Sequence, residues 1–310
     1  MHKLSFVLST ITKENDYQQE QAAAGLRTAQ RLGVDLRVIC ADGDAITQSQ
    51  QLLEIIQSSS SPKPDAIILE PVGGTGLPHV ARAATAAGIG WVVLNREVDY
   101  LSELRRSASV PVFCVSTDHL EVGRIQGRQF AALLPGGGTV LYIQGPTEYT
   151  AARHRVIGVQ ETKPANIKLN MLKAKWTEES GFRAVTAWMQ LTTSQKAAID
   201  VVAGQNDDMA LGARRAFQEL RDEAVREKFL RLPFTGCDGL PKTGQLSVRR
   251  GLMAATVAIP ACTMFALETL VTAMQGGKAA PEISFTVPAP YPPIEELAPA
   301  AVRPGPVAAS

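Results

Sequence analysis

Short apolar runs alternate along this chain with longer amphipathic stretches. Most of these stretches repeat their apolar residues at helical spacing. This alternation is typical of parallel β-sheets covered by helices on both faces and predicts an α/β fold. The runs, rich in Val, Ile and Leu, lie at 4–9, 35–40, 65–69, 90–94, 112–115, 139–143, 168–173, 199–203, 231–235 and 254–259.

Two amphipathic stretches carry signals for helix boundaries. The stretch at 17–33 places alanines and leucines on one stripe and ends at Gly33, which suits a C-terminal cap. The stretch at 207–220 opens with Asp207 and Asp208, whose charges favour the positive end of a helix dipole. Both stretches are therefore predicted to be helices.

The number of apolar runs indicates two domains, because about ten strands would make a very long open sheet. The predicted fold class is two doubly wound parallel-sheet α/β domains joined by a hinge. We place the first at 1–116 plus about 260–277, and the second at 117–259 plus about 280–288. The remainder, 289–310, is rich in proline and is predicted to be an extended or disordered tail.

Polar and aromatic residues follow several apolar runs directly. In an open α/β sheet, ligands bind outside the carboxyl ends of the parallel strands. The pattern therefore predicts a polar pocket and a receptor for a small molecule. The residues at these run ends are Asn15, Asn95, Arg96, Trp176, Asn206 and Asp238.

Composition excludes several classes of protein. The 310 residues are 45% hydrophobic and 20% charged, which is enough to bury full cores. Lys and Arg total 31 against 30 Asp and Glu, without a long basic run, so no nucleic-acid partner is expected. No apolar stretch in the sequence is long enough to span a bilayer. We expect a monomer.

The N-terminus has a short apolar run but no small-residue cleavage site, so we interpret it as the first strand and predict no signal peptide. A cytoplasmic protein and a sequence given without its export segment both fit this pattern. The four cysteines, at 40, 114, 237 and 262, form no metal-binding pair. They are predicted to be buried thiols, with no metal site.

Signals for catalysis are weak. The glycine runs at 73–76 and 136–138 lack the lysine of a phosphate-binding loop and do not form a dinucleotide fingerprint. The four histidines form no HExxH, and no serine lies in a GxSxG elbow. We predict that the chain is not an enzyme and has no cofactor. A hydrolase with a dispersed triad stays open as an alternative.

A series of motifs extends in order over roughly 3–287. They are STITKENDYQQEQAAAGLRTAQRLG at 9–33, DAIILEP at 65–71, VVLNRE at 92–97, STDHLEVGRIQG at 116–127, QNDDMALGARRAF at 205–217, TGCDG at 235–239 and GLMAATVA at 251–258. In these motifs the chain resembles the ribose-binding-protein group of bacterial periplasmic solute receptors. The same type I periplasmic binding fold forms the effector domain of lac-repressor-type regulators, so fold alone does not separate the two roles.

The resemblance implies ligand contacts at particular positions. The family's first-strand loop of Asn-Pro-Phe-aromatic is occupied by Asn15, Asp16, Tyr17 and Gln18, which keep one stacking ring. The family's Asp-Arg pair appears as Asn95 and Arg96, and its Ala-Ala-Arg helix start is intact at 151–153, ending in Arg153. In the second domain, Trp176 matches an aromatic residue, and Asn206 and Asp238 match the hinge-side Asn and Asp. Ile259 replaces a family glutamine, which weakens the expectation of ribose itself.

The resemblance also implies a function. A small carbohydrate-like solute would be captured in an interdomain cleft by hinge closure, for the membrane permease of an ABC-type sugar importer, in the periplasm or cell envelope. The alternative is an intracellular effector-binding regulatory or sensory module without a DNA-binding domain.

Individual residues have simpler interpretations, which also stay open. Trp176 could pack as a hydrophobic staple at a helix start, and Asp238 with Gly239 could be an ordinary turn. Arg153 could be a solvated helix residue, and Tyr17 could belong to the core.

Overall fold

The computed structural model describes residues 3–73, 77–191 and 198–300. The chain divides into two compact units. Unit 1 comprises Met1–His119, Thr147–His154 and Ile259–Pro288, and unit 2 comprises Leu120–Pro146, Arg155–Ala258 and Ala289–Ser310.

Strands and helices alternate through most of the described chain, as the apolar runs predict. The strands are β1 (Ser5–Thr10), β2 (Asp35–Cys40), β3 (Ala66–Leu69), β4 (Gly90–Leu94), β5 (Val112–Thr117), β6 (Gly138–Gln144), β7 (Ile167–Lys173), β8 (Val201–Gly204), β9 (Phe234–Thr235), β10 (Thr256–Ala258), β11 (Ile283–Thr286) and β12 (Ala289–Tyr291). The helices are α1 (Asp16–Leu32), α2 (Ala45–Gln57), α3 (Pro78–Ala86), α4 (Leu101–Ser107), α5 (His119–Leu133), α6 (Thr150–Thr162), α7 (Glu178–Met189), α8 (Asp207–Gln218), α9 (Glu223–Leu230), α10 (Gly244–Arg249) and α11 (Cys262–Gly276).

Unit 1 is built on a parallel sheet in the order β11-β5-β4-β3-β1-β2. Its strands are buried on both faces, because successive side chains point to opposite sides of a sheet. Phe6 and Leu8 pack with residues of α1 and α11. Val7, between them, packs with residues of α2 and α3 on the other face.

Unit 2 contains a second parallel sheet, in the order β7-β6-β8-β9. One face packs against α7, α8 and α9, where Phe217 stacks on Phe229 with ring centroids 4.4 Å apart. The other face packs Tyr142 and Val201 with residues of α5 and α6. Both units therefore have the doubly wound α/β architecture, and the predicted α/β fold class is confirmed.

Helix α1 shows why its boundaries could be predicted. The side chain of Asn15 caps its first turn by accepting from the Gln18 backbone N–H. Gly33 ends it with a φ of 69°, in the left-handed region that favours glycine. The helix predicted at 207–220, which is α8, also begins at the predicted acidic residue, Asp207.

Three segments differ from the predicted boundaries, and the first of them, 147–154, belongs to unit 1 although it is predicted in the second domain. Residues 280–288 were assigned to the second domain, but β11 pairs with β5 in the sheet of unit 1. The segment that forms β11 is short and lies between Pro281 and Pro288, so it lacks the long apolar run that predicted the other strands.

The segment 289–300 is also more ordered than predicted. Strand β12 pairs with β10 in an antiparallel ladder, and the Ala300 backbone N–H donates to Leu133 O at 2.8 Å. Pro290 is tolerated because β12 has a partner on one side only among the described strands. The rest of the predicted tail, 301–310, lies outside the described residues.

Candidate functional site

The first group of predicted site residues lies in unit 1, after the ends of β1 and β4. Asn15 is buried as the N-cap of α1, so its side-chain oxygen is engaged with the Gln18 backbone N–H at 3.0 Å. Tyr17, in the first turn of α1, lies beside Asn95, the residue that follows β4. The parallel sheet thus brings together residues that are far apart in the sequence.

Asn95 is the centre of a hydrogen-bond network. Its Nδ2 donates to Tyr17 Oη at 2.9 Å and to Glu70 Oε2 at 3.1 Å, while Cys262 Sγ donates to its Oδ1 at 3.1 Å. Gln18 Nε2 donates to the same Glu70 oxygen at 2.7 Å. We call Tyr17, Gln18, Glu70, Asn95 and Arg96 the first cluster. Both donor hydrogens of the Asn95 amide are therefore engaged within the protein.

Arg96 contributes the positive charge of the first cluster. It is 9% exposed, and its guanidinium carbon lies 4.1 Å from the centroid of the Tyr149 ring, within the segment 147–154 of unit 1. Among the described residues, its Nη2 has no hydrogen-bond partner. A buried guanidinium fixed by a ring face can present a planar pair of donors to hydroxyl or carboxylate oxygens.

The second group lies in unit 2, around the N-terminus of α8. Asn206 is buried as the N-cap of this helix, where its Oδ1 accepts from the Met209 backbone N–H at 3.0 Å. Its Nδ2 donates to the Trp176 carbonyl at 2.8 Å. Trp176 is half-buried, precedes the Thr177 cap of α7, and packs against the core of unit 2. Its staple interpretation and its binding interpretation are therefore both compatible with its position.

Asp238 is paired with an arginine that the sequence did not single out. Asp238 Oδ1 lies 4.0 Å from Arg155 Nη2, and the two side chains are 11% and 6% exposed. Arg155 also donates from Nη1 to Gln205 O, and its guanidinium carbon lies 5.5 Å from the Trp176 ring centroid. We call Arg155, Trp176, Asn206, Asp207 and Asp238 the second cluster.

Arg153 has a different environment from Arg155. It is exposed, and its Nη1 donates to the Thr147 carbonyl at 2.7 Å. The predicted helix start at 151–153 is present, since α6 begins at Thr150. The contact between Arg153 and a solute stays a prediction.

Asp207, in the second cluster, has a perturbed carboxyl group. Burial raises its pKa to about 7, and the negative charge of Asp208 also raises it. Hydrogen bonds from Thr256 and from the Gly239 backbone, with the charge of Arg155, lower it only in part.

Three predicted site residues have strained backbones. Asn95 has a φ of 59°, Trp176 of 67° and Asp238 of 100°. Non-glycine residues rarely adopt this region, and such strain concentrates at binding and catalytic sites. Among the described residues only Asp42 and Leu77 are other non-glycine cases, so the positive φ values concentrate at the predicted strand-end positions.

Glu70 was missed by the sequence reasoning, although it carries the same signal as the predicted residues, directly after the buried strand β3. Ile259, at the position where the family has a glutamine, is 6% exposed.

Within residues 3–73, 77–191 and 198–300, no three His, Cys, Asp or Glu side chains are grouped so that they could hold a metal ion. None of the described helices is both long and apolar enough to cross a membrane.

Comparison with known proteins gives a family match over most of the chain. A family model described as "periplasmic binding protein domain" matches residues 6–278. The ribose import binding protein of Escherichia coli K12 is 25% identical over 258 residues, which cover 83% of this chain and 80% of that protein. A Rhizobium meliloti protein, whose name assigns it provisionally to rhizopine binding, is 29% identical over 192 residues, covering 60% of this chain and 58% of its own length.

Solved structures with the same fold include an ABC transporter periplasmic solute binding protein from Actinobacillus succinogenes, with bound D-allose. It superimposes with a TM-score of 0.78 at 21% identity, over 93% of this chain and 97% of that one. At this identity the likeness concerns the fold alone.

Proposed function

Because this chain belongs to the periplasmic binding protein domain family, we propose that it is a receptor for a small carbohydrate-like solute and serves an ABC-type importer. The resemblance to ribose-binding-type receptors is confirmed by the family match and by the relative from Escherichia coli. The family is one of binding proteins, and we propose that the solute is bound without being converted. We also propose that the protein acts as a monomer in the periplasm or cell envelope.

The observation that carries the proposal is the strained, polar character of the strand ends. Asn95, Trp176 and Asp238 hold positive φ values, and buried charges stand beside them at Arg96 and Arg155. Strain and buried charge both cost stability, so they persist where function requires them.

The chemistry of the two clusters suits a sugar or a polyol. A pyranose has two apolar C–H faces and a rim of hydroxyl groups, so it matches aromatic rings together with planar polar side chains. In the first cluster, Tyr17 supplies a ring and Arg96 a charged group. In the second cluster, Trp176 supplies a ring and Asp238 a charged group. A solute that lacks one hydroxyl leaves a buried partner unpaired, which is the physical source of selectivity.

The names of the relatives favour the same class of ligand. The Escherichia coli relative is named for ribose, and the Actinobacillus succinogenes structure holds D-allose. Both are small neutral monosaccharides. Ile259 replaces a hydrogen-bonding glutamine with an apolar side chain, so we propose a solute that differs from ribose in the groups it presents.

Thermal unfolding in the presence of candidate solutes tests this proposal. The panel comprises pentoses, hexoses, polyols, sugar acids and sugar phosphates, each added to protein shown to be free of ligand. A solute at about 100 times its dissociation constant adds roughly 2.7 kcal/mol of stability, which is a clear upward shift in Tm. Isothermal titration then gives the affinity, and NMR of the recovered solute checks that it is unchanged.

The matched control is Asp238→Asn, which keeps the side-chain shape and removes the charge. A Tm shift that survives unchanged in this variant would place the solute elsewhere in the molecule. If the folded wild-type protein responds to none of the panel, the carbohydrate class is wrong for this chain.

A further inference from the structure

Both chain neighbours of Asp238 are hydrogen-bonded to one residue, Asp207. The Asp207 backbone N–H donates to the Cys237 carbonyl at 2.7 Å. Its side-chain Oδ2 accepts from the Gly239 backbone N–H at 2.8 Å. The strained residue Asp238 is thus held from both sides by a residue on α8.

The other carboxylate oxygen of Asp207 binds a different element. Oδ1 accepts from Thr256 Oγ1 on β10 at 2.6 Å. Strand β10 also supplies the Val257 carbonyl that accepts from the Asp238 backbone N–H at 3.0 Å. Asp207 therefore links the 237–239 turn to the strand on which that turn rests.

Two glycines allow the backbone to approach the Asp207 carboxylate closely. A Cβ atom on Gly236 would meet Asp207 Oδ1 at 2.1 Å, and one on Gly244 would meet Oδ2 at 2.0 Å. The backbone at Gly236, before the turn, and at Gly244, after it, therefore packs directly against the Asp207 carboxylate. Asp207 itself is only 4% exposed.

We propose that Asp207 is a positioning residue, which holds the turn carrying Asp238 in its strained conformation and so sets the affinity for the solute. The proposal rests on the proposed function, because that function places Asp238 in contact with the solute. A φ of 100° persists only when the surrounding bonds impose it, and three of those bonds come from Asp207 and β10.

The ionisation of Asp207 gives this role a measurable signature. Its pKa of about 7 results mainly from burial, and the titratable or charged groups around it are Asp208 on α8, Arg155 on α6, and Cys237 and Asp238 in the turn. Above that pKa the carboxylate accepts a charge-assisted bond from Gly239, and below it the bond is an ordinary neutral one. This stronger bond does not offset the burial of the charge, because the closed turn raises the pKa of Asp207 above its ordinary value. The closed turn therefore binds the proton more tightly than an opened, solvated turn does, and it should be held less firmly as the pH rises through about 7.

A simpler role for Asp207 is to supply negative charge at the start of α8. Asp208, the next residue of the same helix, also supplies negative charge in its first turn. Asp208→Asn is therefore the matched control, since it changes the charge at the helix start and leaves the Asp207 carboxylate intact.

Amide hydrogen exchange of the full chain tests the positioning role without any solute. We expect Asp207→Ala to raise exchange at Gly239 by about tenfold or more, because the amide loses its acceptor, and Asp208→Asn to leave it unchanged. Asp207→Asn retains an acceptor and should restore most of the protection. If Asp207→Ala does not fold, Thr256→Val, which removes only the hydroxyl donor, should give a smaller increase at the same amide.

Unchanged exchange at Gly239 in Asp207→Ala would overturn the proposal, and so would an equal increase in Asp208→Asn. If the Asp207→Ala protein cannot be prepared, unchanged amide exchange at Gly239 in Thr256→Val would overturn the proposal.

Affinity measured against pH connects the positioning role to binding. D-Ribose, D-allose and myo-inositol are titrated into wild type and Asp207→Asn at about pH 6 and about pH 8, on either side of the pKa. We expect wild type to bind about threefold to tenfold more weakly at the higher pH, because ionisation of the buried Asp207 opposes closure of the turn, and Asp207→Asn to show no such change. An equal pH dependence in both proteins would overturn the link between Asp207 and affinity. If neither these three solutes nor any other member of the panel binds while the exchange result holds, the carbohydrate assignment fails and the positioning of the turn stands.

Discussion

The two clusters hold their side chains in place by different means. In the first, the amide of Asn95 and the carboxylate of Glu70 are tied to Tyr17 and Gln18 by hydrogen bonds. In the second, the Arg155 guanidinium and the Asp238 carboxylate face each other in a buried setting. A lost hydrogen bond is partly replaced by another partner or by water, whereas a buried charge without its counterion is not.

The difference indicates a division of tasks. The network of Asn95 and Glu70 in the first cluster consists of hydrogen bonds, so a substitution within it should have a modest cost to the fold. The second cluster couples solute contacts to stability, because its charges compensate one another. Substitutions of equal size should therefore have unequal effects in the two units.

The largest effect is expected for Arg155→Met. This change keeps much of the side-chain length but removes the guanidinium that pairs with the buried Asp238 carboxylate and donates to Gln205 O. The free energy of unfolding should fall by about 3–5 kcal/mol, as measured by urea denaturation at neutral pH. The matched control is Arg153→Met on the same helix, where the exposed side chain should change stability by less than about 0.5 kcal/mol. Equal losses in the two variants would show that burial of charge does not distinguish the clusters.

Asp238→Asn should have the next largest effect, on both affinity and stability. The amide preserves the shape of the side chain, but Arg155 loses its counterion. Removing one partner of a buried charge pair typically costs about 2–5 kcal/mol, so affinity for the solute found in the panel should fall by at least about tenfold. The buried pair predicts a loss in urea unfolding as well, and an unaltered unfolding midpoint would contradict it.

Most strands could be predicted because their signal is local. Runs such as 90–94 and 112–115 are apolar throughout, as strands covered on both faces must be, and they coincide with β4 and β5. The short strand β11 carried no such signal, and its place depends on pairing with distant residues of β5. Sequence proximity therefore assigned it to the wrong unit.

The site could be predicted only in part, for a physical reason. Residues following strands were recognisable as polar, but their partners were not, because Glu70 and Arg155 acquire their roles from contacts across the sheet. Arg153 and Arg155 stand two residues apart on one helix, and only the fold decides which is buried. The positive φ of Asp238 could not be predicted from the sequence either, because glycine is the residue that usually indicates this backbone conformation.

In the first cluster, Glu70→Gln should have a smaller effect than either change in the second. Both donors to Glu70, from Gln18 and Asn95, lose a charge-assisted acceptor but can keep a neutral one. The cost should be about 1–2 kcal/mol of unfolding free energy, with affinity reduced to a similar extent. Glu54→Gln, on the surface helix α2, serves as a control for loss of one negative charge. A loss as large as that of Arg155→Met would remove the contrast between the clusters.

The smallest effects are expected for the two rings that contact guanidinium groups, Tyr149 beside the first cluster and Trp176 in the second. Tyr149 lies over Arg96 at 4.1 Å, and Trp176 lies near Arg155 at 5.5 Å. Replacing either ring with leucine keeps apolar cover and removes the cation–π attraction, which is worth about 0.5–2 kcal/mol.

Trp176→Leu should also weaken solute binding by on the order of 1 kcal/mol if the ring stacks on the solute. Titration calorimetry and urea unfolding on both variants separate these terms: stability loss without affinity loss in Trp176→Leu would favour the staple interpretation. Similar small losses for the two rings would show that charge compensation, and not ring contact, is what sets the second cluster apart.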